Sequence, residues 1–168
     1  MSENGYIRKI DELGRIVIPK EVRKKLKIHE GENLLINCSE NNIHLSKHSY
    51  IKNNHKFINH LGDKTHFLTN LNIIITDLEN IIYSSNKHEQ IPLSEELKTY
   101  ITSRISKSQA KLLVGNNLTI EGNIQIEPII SNSFCLGLVI TYNEKENEYI
   151  NKIAKLLASI ISIYVDES

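Results

Sequence analysis

Residues 11–26 read "DELGRIVIPKEVRKKL", and their reading decides the fold. "DELG" has turn chemistry: Asp11 starts it, and Gly14 can adopt a positive φ. "RIVI" (15–18) alternates as a strand, with Ile16 and Ile18 on one face and Arg15 and Val17 on the other. Pro19 stops that strand and suits the first position of a helix. "PKEVRKKL" is then a short helix whose Val22 and Leu26, four apart, can face a core. Lys24, Lys25 and Lys27 stand near its C-terminal end, where cations suit the helix dipole.

Working outward, "GYIRKI" (5–10) has strand character, with Tyr6, Arg8 and Ile10 on one face and Ile7 and Lys9 on the other. Beyond the helix come a turn in "HEGE" containing Gly31, a strand in "NLLINC" (33–38), a tight turn at "ENN", and a strand in "IHLSK" (43–47). The first 47 residues thus read β-β-α-β-β. A unit below about 50 residues rarely buries enough apolar surface alone without metal, disulfide or partner. No metal or disulfide is visible, so oligomerisation is the expected solution.

The remaining chain reads α-β-β-α-β-β-α. "YIKNNHKFINHLGDKTHFL" (50–68) has helical spacing of apolar residues 51, 57, 58, 61, 67 and 68. "LNIIITDLENIIYSS" (71–85) reads as a hairpin turning at "DLEN". Ser94 caps a helix through 95–105, with Leu97, Ile101 and Ile105 on one face. A looser stretch containing "LVGNN" follows. "GNIQIEPII" (122–130) and "FCLGLVITY" (134–142) are strands joined at "SNS". Asn143 and Glu146 form a capping-box-like start to a last helix, which reaches about Val165 and is apolar on two sides. Such a helix suits packing against its own sheet and a partner helix.

The 168 residues carry 20 basic and 20 acidic side chains, but unevenly. Residues 8–27 hold eight Lys/Arg against three Asp/Glu, whereas everything after residue 47 holds eleven against thirteen. Cys38 and Cys135 are too few and too far apart for a disulfide framework or a zinc site. No secretory signal is visible, and "IAKLLASIISIYV" (153–165) is too short to span a bilayer. A cytoplasmic chain with no membrane partner is expected. The seven histidines lie at varied spacings, and no nucleophile elbow, zincin motif, P-loop or dinucleotide fingerprint occurs. We therefore expect neither an enzyme nor a bound metal or cofactor.

The basic segment has two readings. A charge run is commonly a solvated helix face. The arrangement favours more: Arg8 and Lys9 on one strand, Arg15 opening the next, and Arg23 and Lys24 on the helix are linked by short turns. Clustered cations of this kind are the electrostatic footprint of a nucleic-acid binder.

Residues 5–36, "GYIRKIDELGRIVIPKEVRKKLKIHEGENLLI", closely resemble the swapped-hairpin domain of the AbrB/SpoVT transition-state regulators. The resemblance implies an α+β protein: an interleaved β-barrel dimer over 1–50, and a GAF-like α/β sandwich with an antiparallel sheet over 51–168 for sensing or oligomerisation. The GAF-like form implies helices on one side of its sheet. DNA-contacting arginines of the family fall on Arg8, Arg15 and Arg23, with Lys9 beside them. Lys24 stands where arginine is common in relatives; lysine keeps the charge without the planar fork. The implied function is a DNA-binding transcription regulator, of sporulation genes, with double-stranded DNA as partner. It is expected to dimerise through the N-terminal part and form a tetramer through the C-terminal part. If sporulation is its setting, it resides in the forespore or on the nucleoid. The GAF-like half leaves room for a small-molecule effector lined by "SNSFCLGLV" (131–139), residues that serve equally as sheet core. Coupling between the halves would run through residues 47–55. The alternative is an antitoxin-like swapped-hairpin protein that binds a toxin. Antitoxins of this fold generally end in short disordered tails, unlike the core-forming second half here.

Overall fold

The computed structural model describes residues 5–26, 28, 30, 34–88, 90–115, 117–145 and 147–167. Lys27, Gly31, Asn33, Asn116 and Glu146, assigned above to a helix end, a turn, a strand start, a loose stretch and a cap, lie outside these residues. The chain divides into two compact units, Met1–His48 and Ser49–Ser168.

The first unit contains α1 (Lys20–Lys25) and a hairpin of β1 (Leu34–Ser39) and β2 (Asn42–Lys47). The hairpin closes at Glu40 and Asn41, with Glu40 at φ 45°. Pro19 precedes the helix as its cap, one position earlier than expected, and its carbonyl accepts the Arg23 N–H at 3.0 Å. The strands expected over 5–10 and 15–18 are not formed: both segments are neither helix nor paired strand. A strand needs a neighbouring strand for its N–H and C=O groups, and among the described residues neither segment lies beside one; Arg15 bonds to Asp11 within a turn instead. Their apolar side chains are exposed as well, Ile7 at 92% and Val17 at 75%. In the hairpin, Ile36 faces Leu45 and Cys38 faces Ile43, making one apolar face that is open to solvent. None of the described residues of this unit is buried.

The second unit is built differently. It comprises α2 (Tyr50–Asn53), α3 (His55–Thr69), β3 (Asn72–Thr76), β4 (Ile81–Ser84), α4 (Glu95–Ser103), β5 (Lys107–Gly115), β6 (Leu118–Ser131), β7 (Phe134–Asn143) and α5 (Ile150–Glu167). The strands form one antiparallel sheet in the order β4-β3-β7-β6-β5. Alternation along β3 sends Ile73 and Ile75 to one face and Ile74 to the other. On the first face they pack with Ile51, Ile58, Ile129, Val139 and the α5 residues Ala154, Leu157 and Ile161. On the second, Ile74 joins Ile126, Leu138, Ile140, Leu112 and the α4 residues Leu97 and Tyr100. Helices therefore cover both faces, rather than the one expected. A continuous apolar run such as "NIIIT" requires cover on both sides.

Polar caps fix the connections. Ser49 caps α2 by accepting the Lys52 N–H at 3.1 Å, and its hydroxyl donates to Asp77 Oδ2 at 2.9 Å. Asp77 Oδ1 accepts the N–H groups of Glu79 and Asn80, which makes the "DLEN" turn between β3 and β4. Ser94 caps α4 by accepting the Leu97 N–H at 3.1 Å and donates to the Leu113 carbonyl. Asn132 and Ser133, both at positive φ, form the two-residue turn between β6 and β7. At Gly137 any Cβ would overlap the Thr76 carbonyl, so β7 approaches β3 as closely as only glycine allows.

Several sequence expectations shift here. The loose stretch is the edge strand β5, whose polar first half hides the alternation of buried Leu112 and Val114. α4 ends at Ser103 because Arg104 adopts φ 55°, which leaves Ile105 beyond the helix and exposed. α5 starts at Ile150 rather than near Asn143, which closes β7 instead. Asn147 begins its first turn, with its side chain accepting the Tyr149 N–H at 2.9 Å. Phe67 and Leu68 continue the helical spacing of α3 but are exposed. Among the described residues, no helix is long and apolar enough to cross a membrane.

Candidate nucleic-acid interface

The cations singled out in the sequence occupy three local settings, and all five are exposed. Arg8 lies in the unpaired segment before the Asp11 turn. Its guanidinium donates to the Ile7 carbonyl at 2.9 Å and stands 6.0 Å from the centre of the Tyr6 ring. Lys9 follows it, exposed to solvent.

Arg15 is held in a closed turn. The Asp11 N–H donates to the Arg15 carbonyl at 3.1 Å, and the Gly14 N–H donates to the Asp11 carbonyl at 2.9 Å. Gly14 makes this possible at φ 76°. Asp11 Oδ1 accepts the N–H groups of Leu13 and Arg15 at 3.0 and 2.8 Å. Its other oxygen, Oδ2, accepts Arg15 Nε at 2.8 Å. The Arg15 backbone N–H, then its side chain, hold the Asp11 carboxyl below the ordinary carboxylate value. The Arg15 side chain itself is 70% exposed.

Arg23 and Lys24 are consecutive in the last turn of α1, with Lys25 beside them. The Leu26 N–H returns to the Val22 carbonyl at 2.9 Å and the Ile28 N–H to the Arg23 carbonyl at 2.8 Å, which ends the helix under these cations. The structure thus assembles two tight local groups, the Asp11–Arg15 turn and the α1 terminus. Exposed Lys20 and Lys25 add to the cations of α1. The contact from Asp11 to the Arg15 guanidinium is the feature that sequence reading missed. Its signal is an Asp placed four residues before an Arg across a glycine turn.

In the second unit, residues 131–139 contribute Leu138 and Val139 to opposite cores. Cys135 is half-buried, and burial pushes its thiol up. Among the described residues no group of three or more His, Cys, Asp or Glu could hold a metal ion.

The two units make an α+β protein, one with a two-stranded hairpin and the other with a five-stranded antiparallel sheet covered by helices. Residues 7–53 match the model of the family described as antidote-toxin recognition MazE, bacterial antitoxin, so the chain carries a MazE/AbrB-type domain at its N-terminus. The chain is similar to stage V sporulation protein T of Bacillus subtilis (strain 168), 28% identical over 155 residues that cover 87% of each chain. It is also similar to the transition state regulatory protein AbrB of the same organism, 46% identical over 48 residues, 29% of this chain and 50% of that one. Among solved structures, a methyl-accepting chemotaxis protein fragment, residues 122 to 287, superposes with a TM-score of 0.53. At 13% identity over 68% of this chain and 90% of that one, it shares the fold alone.

Proposed function

We propose that this chain is a DNA-binding transcription regulator of the sporulation class, acting as a homo-oligomer. One observation carries the reading: the exposed cations Arg8, Lys9, Arg15, Arg23 and Lys24 lie within a segment 46% identical to a transition state regulatory protein. Similarity to a sporulation protein across 87% of both chains extends the reading beyond that segment. Residues 1–50 are the DNA-binding domain, and two copies pair through it. The open apolar face of Ile36, Ile43 and Leu45, with exposed Ile7, Ile10 and Val17, supports that pairing. Residues 51–168 are the GAF-like domain for effector sensing or further assembly, with a tetramer as the larger form. Coupling between the two domains would run through residues 47–55. The setting is the cytoplasm.

Arginine recognises phosphate and guanine through paired N–H groups, and lysine supplies a point charge. Five cations per chain give a dimer contact with about ten phosphates, and a log–log salt dependence no steeper than about −9. The test is genome-wide mapping of bound sites, compared with Arg15→Ala, plus gel shifts on the recovered duplexes. Arg8→Ala and Arg15→Ala should each weaken binding with little change in melting temperature. Unchanged affinity in both variants would sink the assignment.

The antitoxin description of the matched family favours a second reading, a toxin-binding protein. It ranks lower because the similarity to the sporulation protein spans the second unit as well. Co-purification of a small toxin would revive it.

A further inference from the structure

We propose that Asp11 is a positioning residue: it grips Arg15 by Nε and leaves the terminal amino edge of the guanidinium to face a duplex. This rests on the DNA-binding reading above.

A guanidinium offers five N–H groups in a rigid plane. Asp11 Oδ2 takes the one on Nε, at 2.8 Å. With Nε engaged, the edge left free to make a paired contact to a phosphate or to the O6/N7 edge of guanine is the one formed by the two terminal nitrogens. The carboxylate is itself immobilised, because its Oδ1 accepts the backbone N–H groups of Leu13 and Arg15. Backbone bonds from Asp11 to Arg15 and from Gly14 to Asp11 close the turn around it. A long exposed side chain is thereby restrained before any ligand arrives, which lowers the ordering cost of binding. The pair remains intact on DNA, and Arg15 is steered to specific contacts rather than to any passing phosphate.

The competing view makes Asp11 a turn-forming acid from which Arg15 must detach. The two views differ in sign. Loss of a negative charge beside DNA strengthens a purely electrostatic contact. Asp11→Asn separates them, since its amide oxygen still accepts from Leu13 and Arg15 while its NH2 cannot accept from Nε.

The experiment uses the full chain and two fluorescent probes: a duplex recovered by in vitro selection with the wild-type protein, and a random-sequence duplex. Asp11→Asn should weaken binding to the selected duplex about tenfold. Binding to the random duplex should stay equal or tighten. In an Arg15→Ala background, Asp11→Asn should cause no further loss on the selected duplex. Equal or tighter binding of Asp11→Asn to the selected duplex overturns the proposal. So does a full additional loss in the Arg15→Ala background. If Arg15→Ala alone leaves affinity unchanged, Arg15 is no DNA contact, and the functional reading fails at that residue whatever Asp11 does. Should Asp11→Asn not fold, Asp11→Ser decides: its one hydroxyl oxygen can still accept from the turn N–H groups, but no second oxygen is left to hold Arg15 Nε. Loss of preference for the selected duplex with random binding retained supports the proposal, and retained preference overturns it.

Discussion

The two units solve the same problem, an isoleucine-rich chain in water, in opposite ways. Residues 49–168 bury Ile73, Ile75 and Val139 on one face of a sheet and Ile74, Leu138 and Ile140 on the other. Residues 5–48 leave Ile7, Ile10, Val17, Ile36 and Ile43 in solvent, and none of the described residues there is buried. Both are rich in Ile and Leu, and topology decides where those side chains go. The second unit has five strands, and each has its ladder partners in the same chain. Among its described residues, the first has one hairpin and two apolar segments that join no strand ladder. An open apolar face of this kind on a small unit marks an interaction surface. It is the surface on which the proposed pairing of two copies rests.

The largest effect expected from breaking this contrast follows Ile36→Asp. A carboxylate on the open hairpin face would be unpaired in any dimer that covers it, at a cost of several kcal/mol. Duplex affinity should fall about a hundredfold or more, while the unfolding transition of residues 49–168 stays in place. Cys38, on the same face, provides a second readout. Its alkylation should be slow in the native oligomer and fast in Ile36→Asp, with Cys135 slow in both because burial raises its thiol. If Cys38 reacts in the native protein as fast as a free thiol, the hairpin face is not an interface.

A smaller effect tests the other side. Ile140→Ala removes a fully buried side chain from the face under α4, and should cost about 2–5 kcal/mol in denaturant unfolding. That cost should not depend on protein concentration. Ile43→Ala should also destabilise, but only at concentrations where the oligomer forms. Equal concentration dependence for the two variants would erase the distinction between the units.

Much of this was legible from local chemistry. The Ser94 cap, the Asp77 turn and the two strands meeting at Asn132 and Ser133 depend on residues near in sequence, and their patterns announced them. Strand β5 was not legible because Lys107, Ser108 and Gln109 give its first half no apolar face, and a register shift between Gln109 and Lys111 interrupts the period-two pattern before buried Leu112 and Val114. The end of α4 was not legible because a left-handed Arg104 carries no special composition. The segments 5–10 and 15–18 teach something else. Their alternation is strand-like, but a strand exists only where a neighbour completes its hydrogen bonds. Five basic residues were picked out by charge, and all five are exposed. Asp11 escaped notice as an anchor because charge counting scores an acid against a nucleic-acid surface, whereas geometry places it on Arg15.

The smallest expected effect compares two exposed ion pairs, one in each unit. Asp11 pairs with Arg15, and Glu121 pairs with Lys111 at 2.6 Å across β6 and β5. Both carboxyls are held below their ordinary values, for different reasons. For Glu121 the largest cause is the hydrogen bond from the Lys111 side chain, followed by its charge. For Asp11 the largest cause is the backbone N–H of Arg15, and the guanidinium comes second. Deleting each cation should therefore give unequal recoveries in a carboxyl NMR titration. Lys111→Ala should return Glu121 close to the ordinary glutamate value. Arg15→Ala should return Asp11 only part of the way, since alanine keeps the backbone donor at position 15. The sign of any linked stability is the same for both. A lowered folded value contributes stability above the unfolded value, and that contribution disappears as pH falls through the folded one. Because both pairs are exposed, the readout is the titration midpoint rather than the melting temperature. Full recovery of Asp11 in Arg15→Ala would mean that the turn opens without the guanidinium. The grip on Arg15 would then hold the turn closed, rather than the turn presenting Arg15.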